Sequence, residues 1–235
     1  MFPVAILAGG LATRLRPLTE CTPKSLITVA GRPFLFYQLE LLKAQGIHDV
    51  VLCVGFLGEQ IRTSVGDGSR FGLVIRYSFD GDEPLGTGGA IGRAVSLLGE
   101  HFFVLNGDSY LRCSYERVQA GYRESACPAL MTVLRNDNRW VRSNAVFRDG
   151  VVNAYDKQNQ RSDMTYVDFG LSVMSAAAVA RFSDARVFDL SLIFSTLAAE
   201  RRLAGMEMTE RFYEVGSMQG IRDTEAHLLN RPAPV

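Results

Sequence analysis

The sequence predicts an α/β fold with a Rossmann-like, doubly wound and mainly parallel sheet, and three observations point there. Short apolar runs alternate with segments of helical periodicity through residue 134, the pattern of strands linked by crossover helices. The first run, Val4–Ala8, stops at Gly9-Gly10, as a buried strand does on entering a glycine loop. A hydrophobic content of 47% with 21% charged residues over 235 positions supplies one ordinary core and excludes a disordered chain.

The elements follow in order. Phe34–Gln45 carries Leu35, Leu39 and Leu42 at helical spacing and ends at Gly46, a C-cap residue. Val50–Val54 reads as a buried strand, Leu57–Val65 as a helix stopped by Gly66-Asp67-Gly68, and Leu73–Tyr77 as a third strand. Gly89–Leu98 is helical, Phe102–Leu105 a strand running into Asn106-Gly107-Asp108, Tyr115–Glu124 a helix and Ala129–Leu134 a strand. Beyond about Arg135 the pattern changes. Asn144–Phe147 and Val151–Asp156 flank Asp149-Gly150 and form a hairpin, followed by a strand at Val167–Met174. Helices are expected at Ala176–Phe182, Leu190–Glu200 and Met218–Leu229, with a short extended piece at Phe212–Glu214. One domain over 1–235 is therefore expected, with a nucleotide-binding half at 1–134 and a substrate half at 135–235 that inserts the hairpin. No linker interrupts the chain, and no hexapeptide array that would build a C-terminal β-helix follows.

Charge and cysteine usage narrow the function. Twenty-five basic residues balance twenty-five acidic ones, which argues against nucleic acid as a partner. Cys21, Cys53, Cys113 and Cys127 form no C-x-x-C pair and the three histidines stand apart, so neither a zinc site nor a disulfide framework is expected. The N-terminus has no basic n-region and its apolar run is too short for a signal peptide or a spanning helix. A cytoplasmic protein without membrane partners is the expectation; a homodimer is compatible with it.

The segment Leu7–Lys24 reads LAGGLATRLRPLTECTPK. Two glycines after a strand bring backbone N–H groups close to a ligand, Thr13 adds a hydroxyl, and Arg14 and Lys24 add fixed positive charge for a triphosphate. The string is neither G-x-x-x-x-G-K-[ST] nor G-x-G-x-x-G, so a Walker loop is excluded and a dinucleotide fold of the dehydrogenase kind is disfavoured. It resembles the signature of sugar-1-phosphate nucleotidylyltransferases, the NDP-sugar pyrophosphorylases, close to G-G-x-G-T-R-L-x-P-L-T followed by P-K. Ala12 replaces a usual glycine, so a negative φ or a small conformational cost is expected there. The resemblance implies the nucleotide-diphospho-sugar transferase fold, nucleotide contacts from Leu7, Ala8, Gly9, Gly10, Thr13, Arg14 and Lys24, and a catalytic role for Arg14, Lys24 and Asp108.

Further motifs follow in the family's order. Glu83-Pro84-Leu85-Gly86-Thr87-Gly88-Gly89-Ala90 opens a helix, and the resemblance puts it against the nucleobase with Glu83 and Gly88 as contacts. Asp108 closes an apolar strand where open α/β sheets bind ligands, and Mg²⁺ takes one or two carboxylates plus phosphate oxygens. Glu214, in FYEVGS, matches the family's second Mg²⁺ ligand, with Glu for Asp reaching about 1.5 Å further. On the sugar-phosphate side the resemblance assigns Asn106, Asn144, Asp156, Lys157, Asp168 and Gly170, with Lys157 gripping the 1-phosphate. Asp168 replaces a usual Asn, and an ionised Asp accepts hydrogen bonds without donating. The implied substrates are an NTP and a sugar 1-phosphate, with Mg²⁺ as cofactor.

PLGTGGA, VLNGDSY and FYEVGS look most like the D-glycero-D-manno-heptose 1-phosphate guanylyltransferases. N-acetylmuramate 1-phosphate uridylyltransferases and hexose enzymes remain alternatives. A glycosyltransferase would typically carry D-x-D where this chain has Asn106-Gly107-Asp108, and a non-catalytic nucleotide-sugar-binding regulator would not need Arg14, Lys24, Asp108 and Lys157.

Overall fold

The computed structural model describes residues 1–230; residues 231–235, which the expected single domain includes, lie outside the described residues. The chain runs β1 (Val4–Leu7), β2 (Thr28–Val29), β3 (Arg32–Pro33), α1 (Phe34–Ala44), β4 (Asp49–Val54), α2 (Gly58–Val65), β5 (Val74–Phe79) and α3 (Gly86–Leu98). It continues through β6 (His101–Asn106), β7 (Ser109–Tyr110), α4 (Tyr115–Ser125), β8 (Ala129–Arg135), β9 (Ala145–Arg148), β10 (Val151–Tyr155) and β11 (Tyr166–Ser175). The closing elements are α5 (Ala176–Ala180), α6 (Ser191–Ala199), β12 (Leu203–Met208), β13 (Tyr213–Glu214) and α7 (Met218–Leu229).

Nine strands form one sheet in the order β5-β4-β1-β6-β11-β8-β12-β10-β9. Side chains alternate between its faces, as the strand period requires. Val4, Ile6, Val50, Leu52, Phe103 and Leu105 join one buried cluster, which also contains residues of α1, α2 and α4. Ala5, Val51, Cys53, Phe102 and Val104 join the other, with residues of α3 and α6. The near-continuous apolar runs read from the sequence are strands covered on both sides.

The expected mainly parallel sheet is corrected to a mixed one. β5, β4, β1 and β6 are parallel neighbours, but β11 lies antiparallel between β6 and β8. Beyond it β8 and β12 are parallel, while β10 is antiparallel to both β12 and β9. β9 returns to β11 through the pair Tyr166 and Ala145, closing β11, β8, β12, β10 and β9 into a small ring. The β9–β10 turn is the expected hairpin, with Asp149 at φ 51° and Gly150 at φ 76°, the double left-handed turn that antiparallel ribbons favour; the departure from a parallel sheet comes from β11, which returns between β6 and β8. Because β11 sits between strands of the first half, both halves share one sheet.

β12 has no counterpart in the sequence reading. Its segment LAGMEM is interrupted by Gly205, which packing requires, since a Cβ there would stand 2.5 Å from the Phe147 ring. α3 starts at Gly86, ahead of the expected Gly89, because the Phe188 carbonyl accepts the N–H groups of Gly88 and Gly89 and so satisfies the helix's first turn.

Candidate functional site

A cleft of about 590 Å³ opens beyond the C-terminal ends of β1 and β6, the end at which open α/β sheets bind ligands. The loop after β1 forms its floor. A Cβ on Gly9 would lie 2.9 Å from the Gly55 nitrogen and one on Gly55 would lie 2.9 Å from the Gly9 carbonyl, so two backbones touch where only glycine fits. Leu7, Ala8, Gly9, Gly10, Thr13, Arg14 and Lys24, the expected nucleotide contacts, all line the cleft. Of the two outcomes expected at Ala12, a negative φ or a small conformational cost, the structure takes the second: Ala12 stands at φ 47°. The left-handed turn is kept because the Ala12 carbonyl accepts the Thr19 hydroxyl at 2.9 Å and the Leu15 N–H at 3.0 Å.

The turn from β6 to β7 forms the facing wall. Gly107 approaches β1 so closely that a Cβ would be 2.3 Å from the Leu7 carbonyl, which accepts the Gly107 N–H at 3.1 Å. Gln38 of α1, only 1% exposed, donates from Nε2 to the carbonyls of Asn106 at 3.0 Å and Ser109 at 2.8 Å. It clamps both ends of the turn that carries Asp108. The Asp108 carboxylate is ion-paired with the Lys24 ammonium and accepts the Ser109 hydroxyl at 3.2 Å.

Glu214 is brought beside this turn by the pairing of β13 with β7, in which Glu214 faces Ser109, and by the Val215 N–H donating to the Asp108 carbonyl at 2.9 Å. Its carboxylate accepts the Gly216 N–H and, at 3.1 Å, the Ser217 hydroxyl. A carboxylate on the β6–β7 turn and one on the adjoining β13 give hard oxygen donors with spare lone pairs, a set that fits a small divalent cation.

Of the sugar-side candidates, Asp168 and Gly170 lie on a bulge in β11. The register slips between Asp168 and Ser172, and Gly170 stands at φ 98°. A Cβ on Gly170 would lie 3.0 Å from Ser109 Oγ and 3.3 Å from Asn106 Nδ2, so the bulge abuts the Asp108 turn. The Asp168 carboxylate accepts the Gly170 N–H at 2.9 Å and the Tyr155 hydroxyl at 3.2 Å, while its own N–H donates to Asn144 Oδ1 at 2.9 Å. Burial pushes the Asp168 carboxyl above the ordinary range, and the Lys157 charge opposes that. Lys157 lies 3.7 Å from Asp189. Asp189 in turn accepts the Thr87 hydroxyl at 3.0 Å, and Thr87 lines the nucleotide cleft. Asp156 caps its own turn, accepting the Gln158 and Asn159 N–H groups at 2.7 and 2.9 Å, and those bonds hold its carboxyl below the ordinary range.

Two expected base contacts, Gly88 and Glu83, stand apart from the cleft lining. Gly88 does not line the cleft but packs under Phe188, where a Cβ would be 2.2 Å from the ring, and its N–H is taken by the Phe188 carbonyl. Glu83 is exposed outside the cleft wall. The loop presents Pro84, Gly86 and Thr87 instead, because the earlier helix start rotates Gly88 onto the core side.

Sequence reasoning missed Gln38, Asp189 and Asp80. Asp80 follows β5 and lines the cleft with 6% exposure; a strand end drawn at Tyr77 hid a strand-end acid of the same kind as Asp108. Its Oδ2 accepts the Leu85 N–H at 3.3 Å, and burial raises its carboxyl while that bond and the Arg93 charge oppose the rise. Cys53 also lines the cleft, but burial pushes its thiol up to about 12, which removes it as a nucleophile.

Residues 4–159 match the family model described as nucleotidyl transferase. The chain belongs to the sugar-1-phosphate nucleotidyltransferase family. Over 130 residues it is 40% identical to the glucose-1-phosphate thymidylyltransferase of Streptomyces antibioticus, covering 55% of this chain and 36% of that protein. Over 105 residues it is 41% identical to the D-glycero-alpha-D-manno-heptose 1-phosphate guanylyltransferase of Campylobacter jejuni, covering 45% and 47%. The match thus spans between a third and a half of those relatives. The crystal structure of a putative glucose-1-phosphate thymidylyltransferase from Bacillus anthracis superposes with a TM-score of 0.87 at 19% identity, covering 100% of this chain and 98% of that one. That is a likeness of fold. Among the described residues, no helix of this nucleotidyltransferase family member is long and apolar enough to cross a membrane.

Proposed function

We propose that the protein transfers a nucleotidyl group from an NTP to a sugar 1-phosphate, giving an NDP-sugar and pyrophosphate. The observation that carries this reading is the convergence of the glycine loop, Arg14, Lys24 and Asp108 on one cleft in a member of this family. A sugar-phosphate oxygen attacks the α-phosphorus, the new P–O bond forms, and the bond to the β-phosphate oxygen breaks. The attacking phosphate is already anionic near neutrality, so no general base is needed. Catalysis is then positioning and charge neutralisation. Arg14 forks onto the phosphates, Lys24 adds a point charge, and Lys157 holds the sugar phosphate beside Asn106, Asn144, Asp168 and Gly170. Asp108 and Glu214 would hold Mg²⁺, which when bound supplies neutralising charge at the phosphates.

The pair we favour is GTP with D-glycero-D-manno-heptose 1-phosphate, because three separate segments resemble that branch and the Campylobacter jejuni relative carries that name. The test is pyrophosphate release with Mg²⁺, crossing GTP, UTP, dTTP, ATP and CTP with heptose, mannose, glucose and N-acetylmuramate 1-phosphates. One productive pair establishes the reaction and its substrates together. Nucleotide binding without release across the panel would favour a binding protein, and absence of binding would sink the reading.

A further inference from the structure

We propose that Asp189 is a positioning residue for the transfer: its carboxylate fixes Lys157 against the wall of the nucleotide cleft through Thr87, so that the two substrates are held in register. The inference rests on the reading that Lys157 holds the sugar 1-phosphate, and adds the group that aims it.

Lys157 cannot aim itself. It follows β10 in the second half of the chain, and its side chain is 46% exposed. A lysine is a compact charge on a flexible four-carbon stem, and holding it in one rotamer costs about 2 kcal/mol. Two acids act on its ammonium: Asp189, with Oδ1 at 3.7 Å, and Asp168 on the β11 bulge, which feels the Lys157 charge. An exposed ion pair of this kind contributes about 1 kcal/mol or less to stability. Its consequence is direction more than cohesion.

Asp189, by contrast, is held rigidly. Its Oδ1 accepts the Ser191 N–H at 2.8 Å and its Oδ2 accepts the Thr87 hydroxyl at 3.0 Å. The same Thr87 oxygen accepts the Leu190 N–H at 2.8 Å. One residue earlier, the Phe188 N–H donates to the Leu85 carbonyl at 3.0 Å, and the Phe188 carbonyl accepts the N–H groups of Gly88 and Gly89. Residues 188–190 are thus stitched to residues 85–89. Burial pushes the Asp189 carboxyl up, but the Ser191 bonds, the Lys157 charge and the Thr87 hydroxyl outweigh it and hold it below the ordinary range. The group is therefore charged near neutrality.

Capping the start of α6 would account for the Ser191 bond alone. It does not call for Oδ2 to meet Thr87, 102 positions away, or for Oδ1 to face Lys157. Those two contacts join the halves: Thr87 lines the nucleotide cleft, and Lys157 stands on the sugar side. In-line attack needs the reacting atoms about 3–3.5 Å apart, and a misplacement of about 1 Å costs on the order of a hundredfold. A carboxylate anchored to the cleft wall and reaching Lys157 sets that separation.

The test is steady-state kinetics on the full chain with the productive substrate pair. Asp189→Asn keeps an oxygen for the Ser191 N–H and removes the charge beside Lys157. It should raise KM for the sugar 1-phosphate on the order of tenfold and leave KM for the NTP within about twofold. Thr87→Val leaves Asp189 and its Ser191 bond in place, and should move the same constant in the same direction from the nucleotide side. Thr87→Ser retains the hydroxyl and should retain the wild-type KM. The double variant Asp189→Asn/Thr87→Val should be no worse than its worse single member, because both break one chain of contacts. Acetylation of Lys157, followed by mass spectrometry without substrate, should be faster in Asp189→Asn and in Thr87→Val, as for an amine released from its carboxylate. A sugar-phosphate KM unmoved in both variants, a shift confined to the NTP, or equal acetylation in all forms would overturn the assignment. Where Asp189→Asn does not fold, the Thr87→Val and Thr87→Ser pair decides it. Faster acetylation in the variants, with no turnover by the wild type, leaves Asp189 as the residue that fixes Lys157 and removes the transferase reading. Turnover with the sugar-phosphate KM unmoved does the reverse.

Discussion

The Lys24 ammonium is ion-paired with the Asp108 carboxylate inside the cleft, 84 positions away in the chain. Each side chain is thereby held by the other in the free protein: the amine expected to meet phosphate sits on the acid expected to meet the cation. A divalent cation arriving at Asp108 would release Lys24 toward a triphosphate, so loading of metal and of nucleotide should be coupled through this one contact.

Asp108→Asn keeps the shape and removes the charge. Turnover should fall a hundredfold or more, about 3 kcal/mol in barrier, the scale seen when one electrostatic stabiliser is lost. Chelation of Mg²⁺ should abolish wild-type turnover, and added Mg²⁺ should restore it. Steady-state rates with intact folding by circular dichroism check both. Near-normal turnover in the variant would remove Asp108 from the metal site.

Gln38 acts on the same turn from behind. Gln38→Met keeps the volume but deletes both bonds to the Asn106 and Ser109 carbonyls. Leaving buried acceptors unsatisfied costs about 1–3 kcal/mol of stability. We expect a lower melting temperature together with a kcat reduced on the order of tenfold and a smaller change in KM, because the turn loses its orientation more than the cleft loses its contacts. A melting temperature that falls with kcat unchanged would make Gln38 structural only.

What could be read from the sequence depended on how local each signal was. The strands on either side of β1 and the hairpin at Asp149-Gly150 announce themselves by apolar runs and turn chemistry within a few residues. The chain order of Arg14, Lys24 and Asp108 could be read for the same reason. Gln38, Asp80 and Asp189 could not, because their importance lies in partners from other elements: two carbonyls of a distant turn, the wall of a cleft, and a threonine and a lysine from opposite halves. The parallel expectation failed beyond β6 because strand direction is set by how β11 returns through the sheet, and nothing in the apolar run Val167–Met174 encodes that.

Ala12 offers a test of the glycine loop. At φ 47° its methyl group is strained, at a cost of about 1–2 kcal/mol, whereas glycine loses about 0.5–1 kcal/mol through the freedom it gives the unfolded chain. Ala12→Gly should therefore stabilise the protein by about 0.5–1 kcal/mol, a rise of a few degrees in melting temperature for a chain of this size. Calorimetric unfolding checks it. A lower melting temperature would mean that the loop gains more from the methyl contact than it loses in strain.

Asp168 yields a pH-dependent prediction. Burial raises its carboxyl above the ordinary 3.8 in the folded protein, so folding favours the protonated form. Its contribution to stability is therefore fully present below the ordinary value and is lost as pH rises through the raised one. Near neutrality the ionised group is a cost, only partly offset by Lys157, the Gly170 N–H and the Tyr155 hydroxyl. Asp168→Asn keeps an oxygen to accept the Gly170 N–H and carries no charge. It should raise the melting temperature at about pH 8 and do so less, or not at all, at about pH 4. The difference in melting temperature between variant and wild type, followed across that range, is the measurement. An offset that does not change with pH would mean that Asp168 stays in one charge state throughout, and that its burial is fully compensated by the three groups around it.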